Sequence, residues 1–284
     1  MNKKLAFLLV LLLLQLSGCG IVAIGYNFAD AYLRYSINSY ATFNEAQKET
    51  IRNDVNDFML WHRKNMLPEY VSFLQALQRT TQSDAALTNE DVAKFRNQIR
   101  ALYVRTLQPV VKPSAILLSG ISAAQVDELV KSFAKENDKQ KAKELSGSSA
   151  EQLRKRAERS IDFMEGLVGS FSDKQLDIIR AMSYKLPFAT AIYIRQREDN
   201  QAALIELLRN RKSAYEIAEF LTEWLIKPEA GRSLEERKIM HDFETASDEM
   251  IKNIYQMLTE RQKKALQKSI VKYIDSFSEL ANRS

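Results

Sequence analysis

Five segments of the chain repeat one pattern: an apolar residue, then Asn, Ser or Thr, two variable residues, and Gln or Asp. They are FNEAQKETI from Phe43, LTNEDVAKF from Leu87, ISAAQVDEL from Ile121, FSDKQLDII from Phe171 and LTERQKKAL from Leu258. A side-chain oxygen at the first polar position accepts from a backbone N–H of the opening turn. The Gln three residues on reaches back to the first N–H, and the leading apolar residue staples the entry to the helix. Asn44/Gln47, Ser122/Gln125, Ser172/Gln175 and Thr259/Gln262 therefore read as helix-cap motifs, with Thr88/Asp91 as a fifth copy. On this account each motif is punctuation. The copies are unevenly spaced, which excludes a solenoid of fixed period.

Between these starts the apolar residues recur every three or four positions, as in Ile239, Phe243, Ala246, Met250, Ile254 and Met257, then Leu266, Ile270, Tyr273, Phe277 and Leu280. With 8 Gly and 5 Pro in 284 residues, tight turns are too few for an all-β protein. The reading is all-α: an antiparallel helical bundle or hairpin array of nine to eleven helices, with no β-sheet. Helices are expected over 44–64, 68–80, 88–109, 122–145, 150–168, 172–185, 187–209, 213–226, 233–257 and 259–281. PVVKPS, from Pro109, reads as an extended connector, because two prolines oppose helix propagation. The short break at Leu258-Thr259 implies an antiparallel hairpin or a sharply kinked pair.

The N-terminus determines the expected location. Lys3 and Lys4 precede an apolar run from Leu5 to Leu16, about 12 residues and short of the ~20 that cross a bilayer. Leu16, Ser17, Gly18 and Cys19 follow. This is a secretory signal peptide, and its end resembles a bacterial lipobox, in which Cys19 becomes the first mature residue and carries lipid. Cys19 is the one Cys of the chain, so no disulfide competes for it. Several acyl chains, each methylene contributing roughly 0.8 kcal/mol, give an anchor that does not dissociate. Residue 20 is Gly rather than the Asp that marks inner-membrane retention. The expectation is an outer-membrane lipoprotein facing the periplasm. The chain divides into 1–18, the cleaved signal; 19–43, the anchor and a membrane-proximal helix; and two helical halves, 44–145 and 146–284.

Within 21–40, Ile21, Ile24, Phe28, Ala31/Tyr32 and Tyr35 form one stripe. Tyr26, Tyr32, Tyr35 and Tyr40 suit a membrane interface, but packing of the stripe on the protein's own body is the favoured expectation.

Without residues 1–18 the chain keeps 39 basic against 36 acidic side chains. That mild excess is not the footprint of a nucleic-acid binder. Lys131, Lys135, Lys139 and Lys143 lie on one helical stripe and form a candidate binding surface, continued by RKRAER from Arg154. Glu136, Asp138 and Glu144 balance it, which favours an ordinary solvated face. Met240, Met250, Met257 and Tyr255 could adapt to varied apolar partners, although their spacing is that of a core. The histidines, His62 and His241, are far apart, and no nucleophile elbow, phosphate loop or zinc motif is present. Trp61 reads as core, with His62 or Arg63 capping a helix end. The expectation is a protein without catalytic residues, metal or cofactor.

The segment SLEERKIMHDFETASDEMIKNIYQMLTERQKKALQKSI resembles the Spy/CpxP group of periplasmic stress proteins, through Leu234, Glu235, Glu236, Arg237, Met240, His241, Asp242, Tyr255, Leu258, Thr259 and Gln262. The likeness covers about 50 residues. It implies an antiparallel all-α fold and ATP-independent holding of unfolded proteins, or stress sensing. The lipid anchor and the doubled length depart from that group. FMLWHRKNMLPEYVSFLQAL, QREDNQAALIELLRNR and LTEWLIKPE, with the lipobox, resemble an uncharacterised family of proteobacterial lipoproteins. The functional expectation is a non-enzymatic binding protein for unfolded or envelope proteins, chaperone-like or stress-related. The alternatives are a structural or assembly lipoprotein with one dedicated envelope partner and a cryptic cell-wall hydrolase. Oligomeric state is left open.

Overall fold

The computed structural model describes residues 25–83 and 85–283. Among these residues there are eleven α-helices and no strand. They are α1 Ala29–Asn38, α2 Glu45–Asn65, α3 Leu67–Gln82, α4 Asn89–Ser119, α5 Ala123–Glu144, α6 Ser149–Val168, α7 Asp173–Lys185, α8 Thr190–Arg209, α9 Ala214–Ile226, α10 Leu234–Gln256 and α11 Glu260–Asn282. The all-α reading holds. The signal sequence and Leu16, Ser17, Gly18 and Cys19 lie outside the described residues, as do Ile21 and Ile24.

One element differs from the sequence reading. PVVKPS is not an extended connector: α4 runs through both Pro109 and Pro113. Each proline removes one N–H, which strands the carbonyls of residues 105 and 109. Arg105, Gln108 and Lys112 are exposed, so this face is within reach of water. The opposite face carries Leu107, Val111 and Ala115, which share a core with Ile217, Leu221 and Leu225 of α9. Continuous burial along α9 outweighs the local propensity.

Long-range packing interleaves the chain. The last helix, α11, runs along α3 and also meets α6; α10 packs on α4 and α7, and α8 on α5 and α9. Helices from both sides of residue 146 therefore share their cores. The break at Leu258-Thr259 is a corner rather than a packed hairpin, since α10 and α11 each lie along other helices. The largest core joins α2, α4, α5, α8 and α9. A second gathers Tyr26, Met66, Leu67, Tyr70, Tyr273, Phe277 and Leu280. A third joins α6, α7 and α10 through Ile161, Ile179, Met250 and Ile254. Arg96 of α4 clamps α10, holding Asp248 through Nε at 3.0 Å and Glu244 through Nη1 at 3.0 Å.

Candidate functional site

Eight of the eleven helices begin with a complete capping box. The residue at the third position separates them into two kinds. Asp91, Glu151, Glu216 and Glu236 close their boxes with a carboxylate. Gln47, Gln125, Gln175 and Gln262 close theirs with an amide. The amides meet in pairs. Gln125 Nε2 donates to Gln47 Oε1 at 2.7 Å, and Gln47 Nε2 to Gln125 Oε1 at 3.3 Å. Gln175 Nε2 donates to Gln262 Oε1 at 2.9 Å, and Gln262 Nε2 to Gln175 Oε1 at 3.2 Å.

Each amide also reaches the backbone carbonyl two residues ahead of its partner's cap. Gln125 bonds Thr42 O at 2.9 Å and Gln47 bonds Gly120 O at 3.5 Å. Gln175 bonds Met257 O at 2.9 Å and Gln262 bonds Ser170 O at 3.0 Å. The oxygen of each Gln accepts from its own cap N–H and from the partner amide. Its nitrogen donates once to the partner and once to a carbonyl. Both lone pairs and both N–H groups are used. A carboxylate could serve the cap but could not donate, and two would repel. This is why glutamine occupies the paired starts and acids the solitary ones. Phe43, Ile121, Phe171 and Leu258, the residues before these caps, are all buried. The motif is thus more than punctuation: it ties α2 to α5 and α7 to α11 across 78 and 87 residues of sequence.

Around the first knot, α5 also clamps the segment entering α2. Glu128 accepts from Thr42 N, and Ser132 donates to Tyr40 O at 3.0 Å. Arg211, at φ 53, donates to Ile121 O at 2.6 Å. Around the second, Glu165 accepts from Phe171 N at 2.8 Å.

His62 does not cap a helix end; it is buried, 8 % exposed, at the centre of a hydrogen-bonded chain. Tyr26 Oη lies 3.0 Å from its Nδ1, Tyr70 Oη lies 3.1 Å from its Nε2, and Tyr70 Oη lies 2.8 Å from Thr106 Oγ1. Thr106 donates to Leu102 O, so Tyr70 donates to Thr106. Nε2–H then donates to Tyr70, and Tyr26 donates to Nδ1. The imidazole is neutral and protonated on Nε2. Burial lowers its pKa to about 4 and raises that of Tyr26 to about 12. Arg63 lies over the Tyr26 ring, 5.6 Å from its centre. The sequence signalled none of this, because the partners sit 36, 8 and 44 residues away. Trp61 is half-buried beside the same core.

Lys131, Lys135, Lys139 and Lys143 are all exposed along α5. Lys139 pairs with Glu136 at 2.9 Å, while Glu144, on the buried side, holds Arg159. Met240 and Met250 are buried, Met257 packs on the third core, and Tyr255 donates to Thr81 O. His241 is exposed on α10, far in sequence from His62, and among the described residues no three His, Cys, Asp or Glu are placed to hold a metal ion. An open depression of about 530 Å³ lies between the α3–α4 loop and the α10–α11 corner, lined by polar groups including Gln256, Glu260, Lys263 and Gln267. No helix among the described residues is long and apolar enough to cross a membrane.

Residues 39–237 match DUF6279, a family of unknown function. The chain belongs to this family. The match takes in the Gln47–Gln125 knot and Gln175 and ends before α11, so Gln262 lies beyond it. No curated protein and no solved structure matches the chain.

Proposed function

We propose that this member of the family is an outer-membrane lipoprotein, held by lipid on Cys19, whose helical body acts in the periplasm as a non-enzymatic binding protein with one dedicated envelope partner. The basic start, apolar run and LSGC sequence support the anchor. The dedicated partner rests on the fate of the flexible apolar side chains. A surface that accepts many unfolded clients needs groups free to repack. Here Met240 and Met250 are core residues, Met257 is packed, and Tyr255 is hydrogen-bonded. The glutamine knots and the Arg96 clamp fasten the helices together, as suits recognition by a fixed shape.

Six of the shifted titratable groups have structural tasks, which accords with binding. Asp91, Glu151 and Glu236 are held low chiefly by hydrogen bonds from their caps. Glu216 is lowered to about 2 by Lys212 first and Ser213 next. His62 and Tyr26 are shifted by burial inside the second core.

A second reading, chaperone-like holding of unfolded proteins, is favoured by one observation. The LTxxQ-like start at Thr259 and Gln262 is fully formed and paired. Light scattering of a reduced, aggregating client at rising ratios of this protein separates the two. The dedicated-partner reading expects aggregation to proceed unchanged with several clients. Suppression at near-stoichiometric ratios without ATP would overturn it in favour of the second.

A further inference from the structure

The described part of the stripe expected to pack on the protein's own body faces outward instead. Phe28, Ala31, Tyr32 and Tyr35 face outward along α1, with Phe28 66 %, Tyr32 45 % and Tyr35 73 % exposed. The inward side is made by Ala29, Leu33, Ile37 and Tyr40, and Tyr26 is buried against His62. The outward stripe carries no charge: Asp30 and Arg34 pair with each other at 2.8 Å, and Arg34 also holds Asn56. The other large exposed apolar side chains are scattered over α2, α4, α7, α9, α10 and α11 and the loops beside them.

We infer that this face is a seat for the phospholipid interface, the layer between headgroups and acyl chains. The inference rests on the anchoring read at Cys19. Phe28 lies nine positions after Cys19, a reach of about 30 Å even when fully extended. A lipidated Cys19 therefore keeps the stripe beside the bilayer at all times. Such a tether gives an effective concentration on the order of millimolar, so a contact with only millimolar affinity is already half occupied. Phe28, Tyr32 and Tyr35, at positions i, i+4 and i+7, supply what that layer favours: apolar ring bodies, with polar tips on the two tyrosines. Seating α1 in this way fixes the orientation of the whole body. α1 packs on α2, and Tyr26 is tied through His62 and Tyr70 to α3 and α4.

The test uses the full lipidated chain in phospholipid vesicles. Because Cys19 is the only native thiol, Tyr32→Cys and Tyr35→Cys each offer one labelling site, and Tyr215→Cys on α9, where Tyr215 is 71 % exposed, is the control. An environment-sensitive fluorophore is attached and challenged with aqueous iodide and with brominated lipid. The expected result is quenching by the lipid and protection from iodide at 32 and 35, with the reverse at 215. Iodide quenching at 32 and 35 equal to that at 215 would overturn the seat while leaving the anchor standing. Protection from both quenchers would overturn it in favour of a protein contact. Labelling of the parent chain would show that Cys19 is unmodified, which overturns the anchor and the seat together.

Discussion

Replacing Gln262 by Glu keeps the capping box and breaks the knot. The carboxylate still accepts from the Thr259 N–H, as Gln262 Oε1 does at 3.0 Å. It cannot make the two donations of the native amide, to Ser170 O at 3.0 Å and to Gln175 Oε1 at 3.2 Å. Gln262 is buried, whereas Ser170 is exposed and Gln175 Oε1 keeps the bond from Ser172 N at 3.0 Å. With a net ~1 kcal/mol for each of the two hydrogen bonds lost, the expected cost is about 2 kcal/mol. The charge is disfavoured in the folded state, so the folded pKa of the new Glu lies above its unfolded value. The penalty is therefore full above that folded pKa and disappears as pH falls below the unfolded one, where the protonated acid donates again. The assay is urea unfolding followed by far-ultraviolet circular dichroism at neutral and acidic pH. Glu151→Gln, at a solitary box, is the control and should stay within about 0.5 kcal/mol. Equal effects at the two sites would refute the knot as the reason for glutamine. So would a Gln175→Ala/Gln262→Ala double-mutant cycle with no coupling.

Other perturbations follow from the same geometry. His62 is neutral when folded, with a pKa of about 4 against 6.5 for an unperturbed imidazole. The stability it confers is complete above pH 6.5 and is lost as pH falls towards 4, about 3 kcal/mol in all; His62→Gln should flatten that part of the stability–pH curve. Arg96→Met leaves Asp248, 5 % exposed, without its guanidinium, and should cost about 2–3 kcal/mol. Adding Asp248→Leu should return much of it, as read by thermal unfolding. Gly169 sits at φ 80 with open space where a Cβ would be, so Gly169→Ala should cost about 1–2 kcal/mol from backbone alone. Gly166, helical and equally open, should gain about 0.5–1 kcal/mol as Ala, and denaturant midpoints of the two variants would show the opposite signs.

The helix starts were legible because capping is local: a span of four residues carries both partners of each box. What the boxes do to one another was not, since Gln47 and Gln125 meet over 78 residues. One signal was available. An amide where an acid would cap equally well marks a position that must donate as well as accept. Pro109 and Pro113 misled for the complementary reason. Their local cost is written in the sequence, while the burial of Leu107, Val111 and Ala115 against α9 is not. The outward turn of Phe28, Tyr32 and Tyr35 was hidden in the same way, because periodicity places residues on one face without saying what that face meets.

The dedicated-partner claim is tested most directly by photo-crosslinking in living cells, with a photoreactive residue placed in turn at exposed positions of the body such as Tyr215, Ile251 and Lys135. The account expects one discrete adduct of defined mass, recovered with an intact outer membrane and confined to neighbouring positions. A broad ladder of adducts from many positions, growing stronger when envelope proteins are unfolded, would contradict it.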